Sequence, residues 1–227
     1  RTLTNGTGWC GYNWHDRKQR MQTRVLSTEH PQALDLALET LRAGGLVVFP
    51  TDTLYGLGCN PNNSAALASL YAAKNRPTLK AIPVLIGETG QLQNLITALP
   101  PIAARLITRY WPGPLTLVLP RNPALPPELT PYPGLAVRMP NHPFALALLR
   151  AAGPLAVTSA NISEHENPQD AAGVRAQLDG KVELILDGGR LSGGTASTII
   201  DCMDAEPKLL REGPIRFEDV LTSQAED

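Results

Sequence analysis

Apolar stretches of two different periods alternate along the chain, and this alternation predicts an α/β fold. Apolar side chains recur at positions 34, 37, 38 and 41, which is the spacing of one helix face. Pro31 stands at the start of that segment and the pair Gly44–Gly45 follows its end, as is usual for a helix. Short continuous apolar runs such as Leu46–Pro50 are typical of buried strands instead.

The same two patterns predict the other elements of the chain. Helices are expected at Pro31–Arg42, Ser64–Lys74, Gln91–Ala98, Pro101–Tyr110, Pro143–Ala151 and Ala171–Leu178. Strands are expected at Leu46–Pro50, Ile82–Ile86, Leu115–Leu119, Leu135–Arg138, Leu155–Ser159, Val182–Leu186, Ser197–Asp201 and Lys208–Arg211. Because strands alternate with helices at first and then cluster near the end, a mixed sheet is favoured over a purely parallel one.

Both ends of the chain differ from this regular region. Residues 1–20 contain two of the three tryptophans and show no periodicity. We therefore expect a leader there that is non-native or disordered, before a natural start at Met21. Residues 21–217 are expected to form a single domain, because no repeat or linker interrupts them. Residues 218–227 are expected to be a polar tail that frays.

Composition limits the function classes. A chain of 227 residues with 43% hydrophobic content can bury one sizeable core. A net charge of −1 argues against a protein that binds nucleic acid mainly by charge. No apolar run approaches the roughly 20 residues of a membrane-spanning helix. Three widely spaced cysteines, an odd number, predict no disulfide framework and favour the reducing cytoplasm.

The segment Pro154–Ser163, which reads PLAVTSANIS, passes from an apolar strand to small hydrogen-bonding side chains. Ser159 and Asn161 stand at that strand end. A serine nucleophile is disfavoured, because the chain lacks a Gly-x-Ser-x-Gly elbow and an evident histidine base. Roles as hydrogen-bond donors that orient a ligand fit better. The alternative is a plain turn built from serine and asparagine.

The segment Lys74–Pro77, which reads KNRP, places two cations at the end of a predicted helix, and Lys80 follows closely. Arg76 offers a planar fork of donors and Lys74 a point charge, a combination that suits phosphate or carboxylate groups. The alternative is a helix end whose cations favour the macrodipole. Cations at a helix end are expected to be accessible, so their removal should cost little stability.

Other strand ends have a similar character. The segment Val47–Gly58, which reads VVFPTDTLYGLG, passes from an apolar strand to hydroxyls and glycines, and Arg138 and Arg211 end two later strands. Each arginine taken alone is most often a surface charge. A glycine-rich segment, Asp187–Thr198, could bring backbone N–H groups to an anion or form a flexible hairpin. It is not a P-loop, because glycine stands where the phosphate-binding lysine is required and a strand follows.

In this order, the segments resemble the YrdC/TsaC family of threonylcarbamoyl-AMP synthases from Pro31 to Ile215. The resemblance is carried by GGLVVFPTDTLYGLGCN, KNRP, PVLIG, WPGPLTLVL, VRMPNHP, TSANIS, DGG, STIID and LREG. The pairing of Lys-x-Arg with Ser-x-Asn is its most specific part. It implies an open, twisted mixed sheet with flanking helices and a large concave basic surface, in the short, single-domain type of the family.

The resemblance also implies an activity. Family members make threonylcarbamoyl-AMP and pyrophosphate from L-threonine, bicarbonate and ATP. The product feeds the t6A37 modification of tRNA through a downstream threonylcarbamoyl transferase complex, and direct binding of tRNA or RNA is possible. The implied Mg²⁺ is carried by the nucleotide, since no carboxylate cluster suggests a metal site in the protein.

The resemblance implies site residues position by position. The catalytic group falls on Lys74, Arg76, Ser159 and Asn161. The threonine and bicarbonate end falls on Thr51, Thr53, Tyr55, Arg138 and Ser197. The ATP-binding group falls on Lys74, Arg76, Lys80, Asn161 and Arg211. One departure is the segment Glu164–Asn167, which is longer and more acidic than the family pattern and puts the nucleotide contacts nearby in question.

Two other functions stay open on the sequence. The first keeps the fold but makes it a carbamoyl-adenylating module of the hydrogenase-maturation kind, which normally forms part of a larger chain with zinc-finger regions. The second is a non-enzymatic module that binds double-stranded RNA on the concave face. A net charge of −1 and an aromatic content of 5% disfavour the second.

Overall fold

The computed structural model describes residues 22–77 and 80–222, so the predicted leader at 1–20 lies outside the described residues. The strands are β1 Arg24–Ser27, β2 Val47–Pro50, β3 Tyr55–Cys59, β4 Val84–Leu85, β5 Leu115–Pro120, β6 Gly134–Arg138, β7 Leu155–Ser159, β8 Leu184–Asp187, β9 Thr198–Asp201 and β10 Lys208–Arg211. The helices are α1 Ala33–Arg42, α2 Ser64–Ala73, α3 Pro101–Tyr110, α4 Pro143–Ala152, α5 Ala171–Leu178 and α6 Phe217–Thr222, with a 3-10 helix at Thr89–Asn94.

One open sheet contains all ten of these strands, in the order β1-β8-β2-β3-β7-β4-β6-β5-β9-β10. The pairs β1·β8, β2·β8, β4·β6 and β5·β9 are parallel, and the pairs β2·β3, β3·β7, β4·β7, β5·β6 and β9·β10 are antiparallel. The prediction of a mixed sheet is therefore confirmed. No helix among the described residues is both long and apolar enough to cross a membrane.

The structure differs from the sequence prediction at four places. It adds β1, whose side chains are largely exposed and so give no apolar period, and β3, whose two glycines read as a loop. The helix predicted at Gln91–Ala98 is instead the 3-10 helix at Thr89–Asn94. The polar tail expected to fray after Phe217 begins as α6, because Val220 is fully buried against the core.

Helices cover both faces of one half of the sheet, because its strands are apolar on both sides. Along β2, Val47 and Phe49 pack into a cluster with α1 and α4, whereas Val48 packs into the larger cluster that includes α2, α3 and α5. The same alternation holds along β7 and β8. It places the smaller core on one face and the larger core on the other.

The other half of the sheet has one face that neither core covers. On β5 and β6, the residues that enter the larger core are Leu115, Leu117, Leu119, Leu135 and Val137. The intervening residues Thr116, Val118, Ala136 and Arg138 point to the opposite face and belong to neither core cluster of the described residues. Polar side chains for a site can therefore collect on this face of the sheet.

The glycines of β3 are required by the ring of Phe49 and by β7. A Cβ added to Gly56 would lie 2.7 Å from Val157 Cγ1, and one added to Gly58 would lie 3.0 Å from Phe49 Cε1. Gly56 also stands opposite Ser159 in the strand register. Close packing at these glycines therefore sets where the predicted site residue Ser159 lies.

We predict that Gly56→Ala destabilises the domain, because the new methyl group would lie 2.7 Å from Cγ1 of the buried Val157, so one of them must shift. The free energy of unfolding should fall by about 1–3 kcal/mol, the usual cost of overpacking, as measured by urea denaturation. Gly90→Ala is the matched control, since a Cβ there meets no atom within 4 Å. Equal stability of the two variants would contradict the close packing of β3 on β7.

Candidate active site

The ammonium group of Lys74 joins the end of α2 to the end of β7. It donates to the main-chain oxygen of Ser159, to the main-chain oxygen of Asn161 at 2.5 Å and to Asn161 Oδ1 at 2.9 Å. The helix ends here because Asn75 takes a left-handed conformation with a φ of 51°. The main-chain oxygen of Lys74 accepts from Ser163 N at 2.9 Å, so both segments are tied together twice.

Side chains complete this turn, which the structure builds from three of the four predicted catalytic residues. Ser159 Oγ donates to Asn161 Oδ1 at 2.7 Å, and Asn161 Nδ2 donates to the main-chain oxygen of His165 at 2.6 Å. The amide orientation of Asn161 is thereby fixed, since its oxygen accepts from the hydroxyl and the ammonium together.

Lys74 is buried, which corrects the expectation that it lies accessible at a helix end. Only 1% of its surface is exposed. Burial, and then the neighbouring charge of Arg76, lower the pKa of Lys74 to about 7. The three oxygens around it are neutral and offset only part of the desolvation. The expected accessibility of Lys74 is therefore wrong, and replacing it removes a buried structural contact as well as a charge.

Arg76 and Lys80 lie beside this turn on the segment that leads to β4. Arg76 is half-buried and donates to the main-chain oxygen of Ala81 at 2.9 Å, and burial lowers its pKa. Lys80 is exposed, and its ammonium lies 3.9 Å from the carboxylate of Glu164. The acidic residue of the unusual loop is therefore placed against a predicted ATP-binding cation.

The hairpin between β2 and β3 holds the predicted hydroxyl residues. Thr51 Oγ1 donates to the main-chain oxygen of Leu54 at 2.6 Å and lies 3.2 Å from Thr53 Oγ1. Tyr55 is buried, and its hydroxyl donates to the main-chain oxygen of Gly189 at 2.6 Å, while burial raises its pKa to about 12. Tyr55 thus anchors the glycine-rich segment.

Arg138 reaches from the end of β6 to the same hairpin. Its guanidinium donates to Thr53 Oγ1 at 2.7 Å, to the main-chain oxygen of Gly113 at 2.9 Å, and to the carboxylate of Asp52. Arg138 is buried, so it is not the surface charge that an arginine at a strand end most often is.

A third group of polar side chains lies where β5 and β9 begin. Ser197 Oγ and Thr116 Oγ1 are 2.7 Å apart, and Arg211 donates to the main-chain oxygen of Ser197 at 2.8 Å. Arg211 is also close enough to oppose the charge of Arg138 and contribute to lowering its pKa. The second and third groups are therefore neighbours.

The structure thus places every predicted site residue in one of three connected groups. The hairpin connects the first two, because the main-chain oxygen of Tyr55 accepts from Ala160 N at 2.8 Å. Sequence reasoning missed Asp52 and Thr116. Asp52 had no usable signal, because the burial of Arg138, its partner 86 residues away, cannot be read from the sequence. Thr116 had none, because an isolated threonine in an apolar strand is unremarkable.

Two further observations concern the surroundings of the site. Among the described residues, no group of three or more His, Cys, Asp or Glu is arranged to hold a metal ion. A cavity of about 770 Å³ beside the 3-10 helix and α3 contains none of the predicted site residues and is lined largely by apolar side chains. The candidate site is the polar surface built by the three groups.

We predict that the stability of the protein rises as pH increases from about 7 to 9. The folded chain binds the Lys74 proton less tightly than the unfolded chain, whose lysine titrates near 10.5. The cost of burying the charge is therefore full below pH 7 and falls as pH rises, by about 2 kcal/mol over this window. Above pH 9 the raised pKa of Cys59 acts in the opposite direction.

Urea denaturation at several pH values measures this effect, with Lys74→Met as the test variant. The rise should be absent in Lys74→Met and present in the control Lys208→Met, whose lysine is exposed on β10. A wild-type rise that persists in Lys74→Met would show that another group causes it.

Comparison with known proteins identifies the fold family. The Sua5/YciO/YrdC family model, described as "Telomere recombination", matches residues 39–213. Threonylcarbamoyl-AMP synthase of Bacillus subtilis is 44% identical over 87% of this chain and 58% of its own length. A putative threonylcarbamoyl-AMP synthase of Mycobacterium tuberculosis is 43% identical over 80% of this chain and 84% of its own length.

A solved structure agrees with this similarity. The crystal structure of P. abyssi Sua5 complexed with L-threonine has a TM-score of 0.83 and 37% identity over 90% of this chain. This chain spans 60% of that structure and 58% of the Bacillus subtilis relative. The tied ends of α2 and β7, the mixed sheet and these similarities together show that the chain belongs to the Sua5/YciO/YrdC family.

Proposed function

We propose that the protein is an L-threonylcarbamoyladenylate synthase, a nucleotidyltransferase that forms threonylcarbamoyl-AMP and pyrophosphate from L-threonine, bicarbonate and ATP. The observation that carries the proposal is the turn in which Lys74 contacts Ser159 and Asn161. This arrangement joins the two most specific segments of the sequence. The names of the Bacillus subtilis and Mycobacterium tuberculosis relatives support the same reaction.

The reaction needs no covalent enzyme intermediate, which suits a site without an activated nucleophile. The neutral amine of threonine attacks the carbon of bicarbonate, and water leaves to give a carbamate. A carbamate oxygen then attacks the α-phosphorus of ATP, the bond to the bridging oxygen breaks, and pyrophosphate leaves. The protein contributes by positioning the reactants and stabilising negative charge.

The three groups of the site divide this work. Arg76 and Lys74 contribute positive charge next to the α-phosphate and the carbamate, while Ser159 and Asn161 orient the carboxyl group. Thr51, Thr53, Arg138 and Ser197 are proposed for the threonine and bicarbonate end, with Tyr55 anchoring the adjoining loop. Lys80 and Arg211 are proposed to contact the nucleotide. Mg²⁺ would enter as part of the ATP complex, because the described residues offer no acidic cluster to hold it.

The product is a mixed anhydride that a second enzyme must use. We propose that it passes to a tRNA threonylcarbamoyl transferase complex for t6A37 formation, with direct tRNA binding as an additional contact. The buried thiols of Cys59 and Cys202 are free, which supports a reducing cytoplasmic location.

The two alternatives are less well supported. The curated relatives that match most of this chain carry the synthase name rather than that of a hydrogenase-maturation protein. A double-stranded RNA-binding module would not require a buried lysine that orients Ser159 and Asn161.

Pyrophosphate release tests the proposed function directly. The purified protein should release pyrophosphate only when ATP, L-threonine and bicarbonate are all present. Arg76→Ala should lower the rate about 100-fold to 1,000-fold, the usual cost of removing one preorganised charge contact. Arg175→Ala, an exposed arginine paired with Asp179, should leave the rate unchanged. Threonine-independent release, or equal rates in both variants, would contradict the assignment.

We also predict that Ser159→Ala impairs the use of bicarbonate more than the binding of ATP. The hydroxyl is a neutral donor, so it can orient oxygens of a small group but contributes little to holding phosphates. Its removal should cost about 1–3 kcal/mol where its partner is left buried and unpaired. Product formation against bicarbonate concentration, with a separate nucleotide titration, measures both effects. Weaker ATP binding with an unchanged bicarbonate dependence would move Ser159 to the nucleotide end.

A further inference from the structure

Asp52 is a partly buried carboxylate at the site to which no role has yet been given. It lies at the tip of the hairpin between Thr51 and Thr53, and its Oδ1 accepts from the guanidinium of Arg138. The exposed fractions of the two side chains are 15% for Asp52 and 6% for Arg138. A pair this well buried is costly to desolvate and gains most when its geometry is fixed.

The contacts of Arg138 fix the plane of its guanidinium. One N–H group goes to each of three partners, namely the main-chain oxygen of Gly113, Thr53 Oγ1 and Asp52 Oδ1. A guanidinium has five N–H groups in a rigid fork. Two donors therefore remain, one on each terminal nitrogen, and their directions follow from the three that are occupied.

Among the described charges around Arg138, Asp52 is the one that stabilises the charged guanidinium. Burial lowers the pKa of Arg138 and Arg211 lowers it further, whereas Asp52 is the one described carboxylate that raises it. His142 caps α4, and burial lowers its pKa, while the negative charge of Asp52 acts in the opposite direction. Without Asp52, two arginines would share this part of the site with no counter-charge among these neighbours.

We propose that Asp52 is a positioning residue, which fixes the Arg138 guanidinium so that its two remaining donors meet the α-carboxylate of the amino-acid substrate. The inference rests on the proposed function, because it assigns the carboxylate of threonine to this arginine. Asp52 acts through Arg138 and also neutralises it, so that the arginine is not drawn toward the phosphates of ATP instead. The ligand class is therefore an α-amino acid whose carboxylate is free.

A purely structural ion pair would behave differently from a positioning pair. Loss of a structural pair lowers thermal stability and the amount of active protein, but leaves the KM for each substrate unchanged in the molecules that remain folded. Loss of a positioning residue raises the KM for threonine and leaves the KM for ATP unchanged. The split between these two KM values thus separates the roles.

The test is Asp52→Asn, which keeps the size of the side chain and removes its charge. Its KM for threonine should rise about 10-fold to 100-fold, which corresponds to the loss of one hydrogen bond to a charged group. Its KM for ATP should stay within about twofold. Asp201→Asn is the matched control, since Asp201 Oδ1 accepts from the backbone N–H of Met203, just after β9, and has no contact with Arg138 among those described. An unchanged threonine KM, or equal increases in both KM values, would overturn the proposal.

A double-mutant cycle with Arg138→Gln shows whether Asp52 acts through the arginine. The double variant buries neither charge, so it should fold even if a single variant is unstable. Asp52→Asn should add little to the threonine KM in the Arg138→Gln background, and an additive effect would overturn the inference. Absence of threonine-dependent turnover in the wild type would instead reject the proposed function, so the two failures are distinguishable.

Discussion

The contact of the Lys74 ammonium with the oxygens of Ser159 and Asn161 is the interaction on which the site depends. A charged amine cannot stay buried without acceptors, and all three of its N–H groups find them on a single turn. The end of α2 and the end of β7 are therefore kept at one separation. Because Ser159 also stands opposite Gly56 on β3, the same contact sets the position of the hairpin that precedes β3.

That hairpin connects the chemistry at the two ends of the site. Its Thr53 and Asp52 accept hydrogen bonds from Arg138, and its Tyr55 anchors the glycine-rich segment. Its second strand, β3, pairs with β7. Substrate positioning by this arrangement requires that the hairpin stay rigid, and the close packing of Phe49 on two glycines provides that rigidity. The packing of β3 at the centre of the sheet therefore also determines where the charged groups of the hairpin lie.

Much of the fold could be predicted because its signals are local. The continuous apolar run at Leu155–Ser159 gave a strand with the observed bounds, and the mixed sheet followed from the order of the elements. β3 was missed because its two glycines, which leave space for the ring of Phe49 and for Val157, are typical of a loop in the sequence. The burial of Lys74 and the role of Asp52 were missed for a similar reason, since their partners lie 85 to 87 residues away. Sequence periodicity carries no information about such contacts.

Product analysis with ¹³C-bicarbonate tests the central claim most directly, namely that this site joins three substrates in one adenylate. The protein, ATP, L-threonine and labelled bicarbonate are incubated together, and the nucleotide product is analysed by mass spectrometry. The account predicts one product that contains AMP, threonine and a single labelled carbon. A threonyl-adenylate without the label, or a labelled carbamoyl-adenylate without threonine, would contradict it.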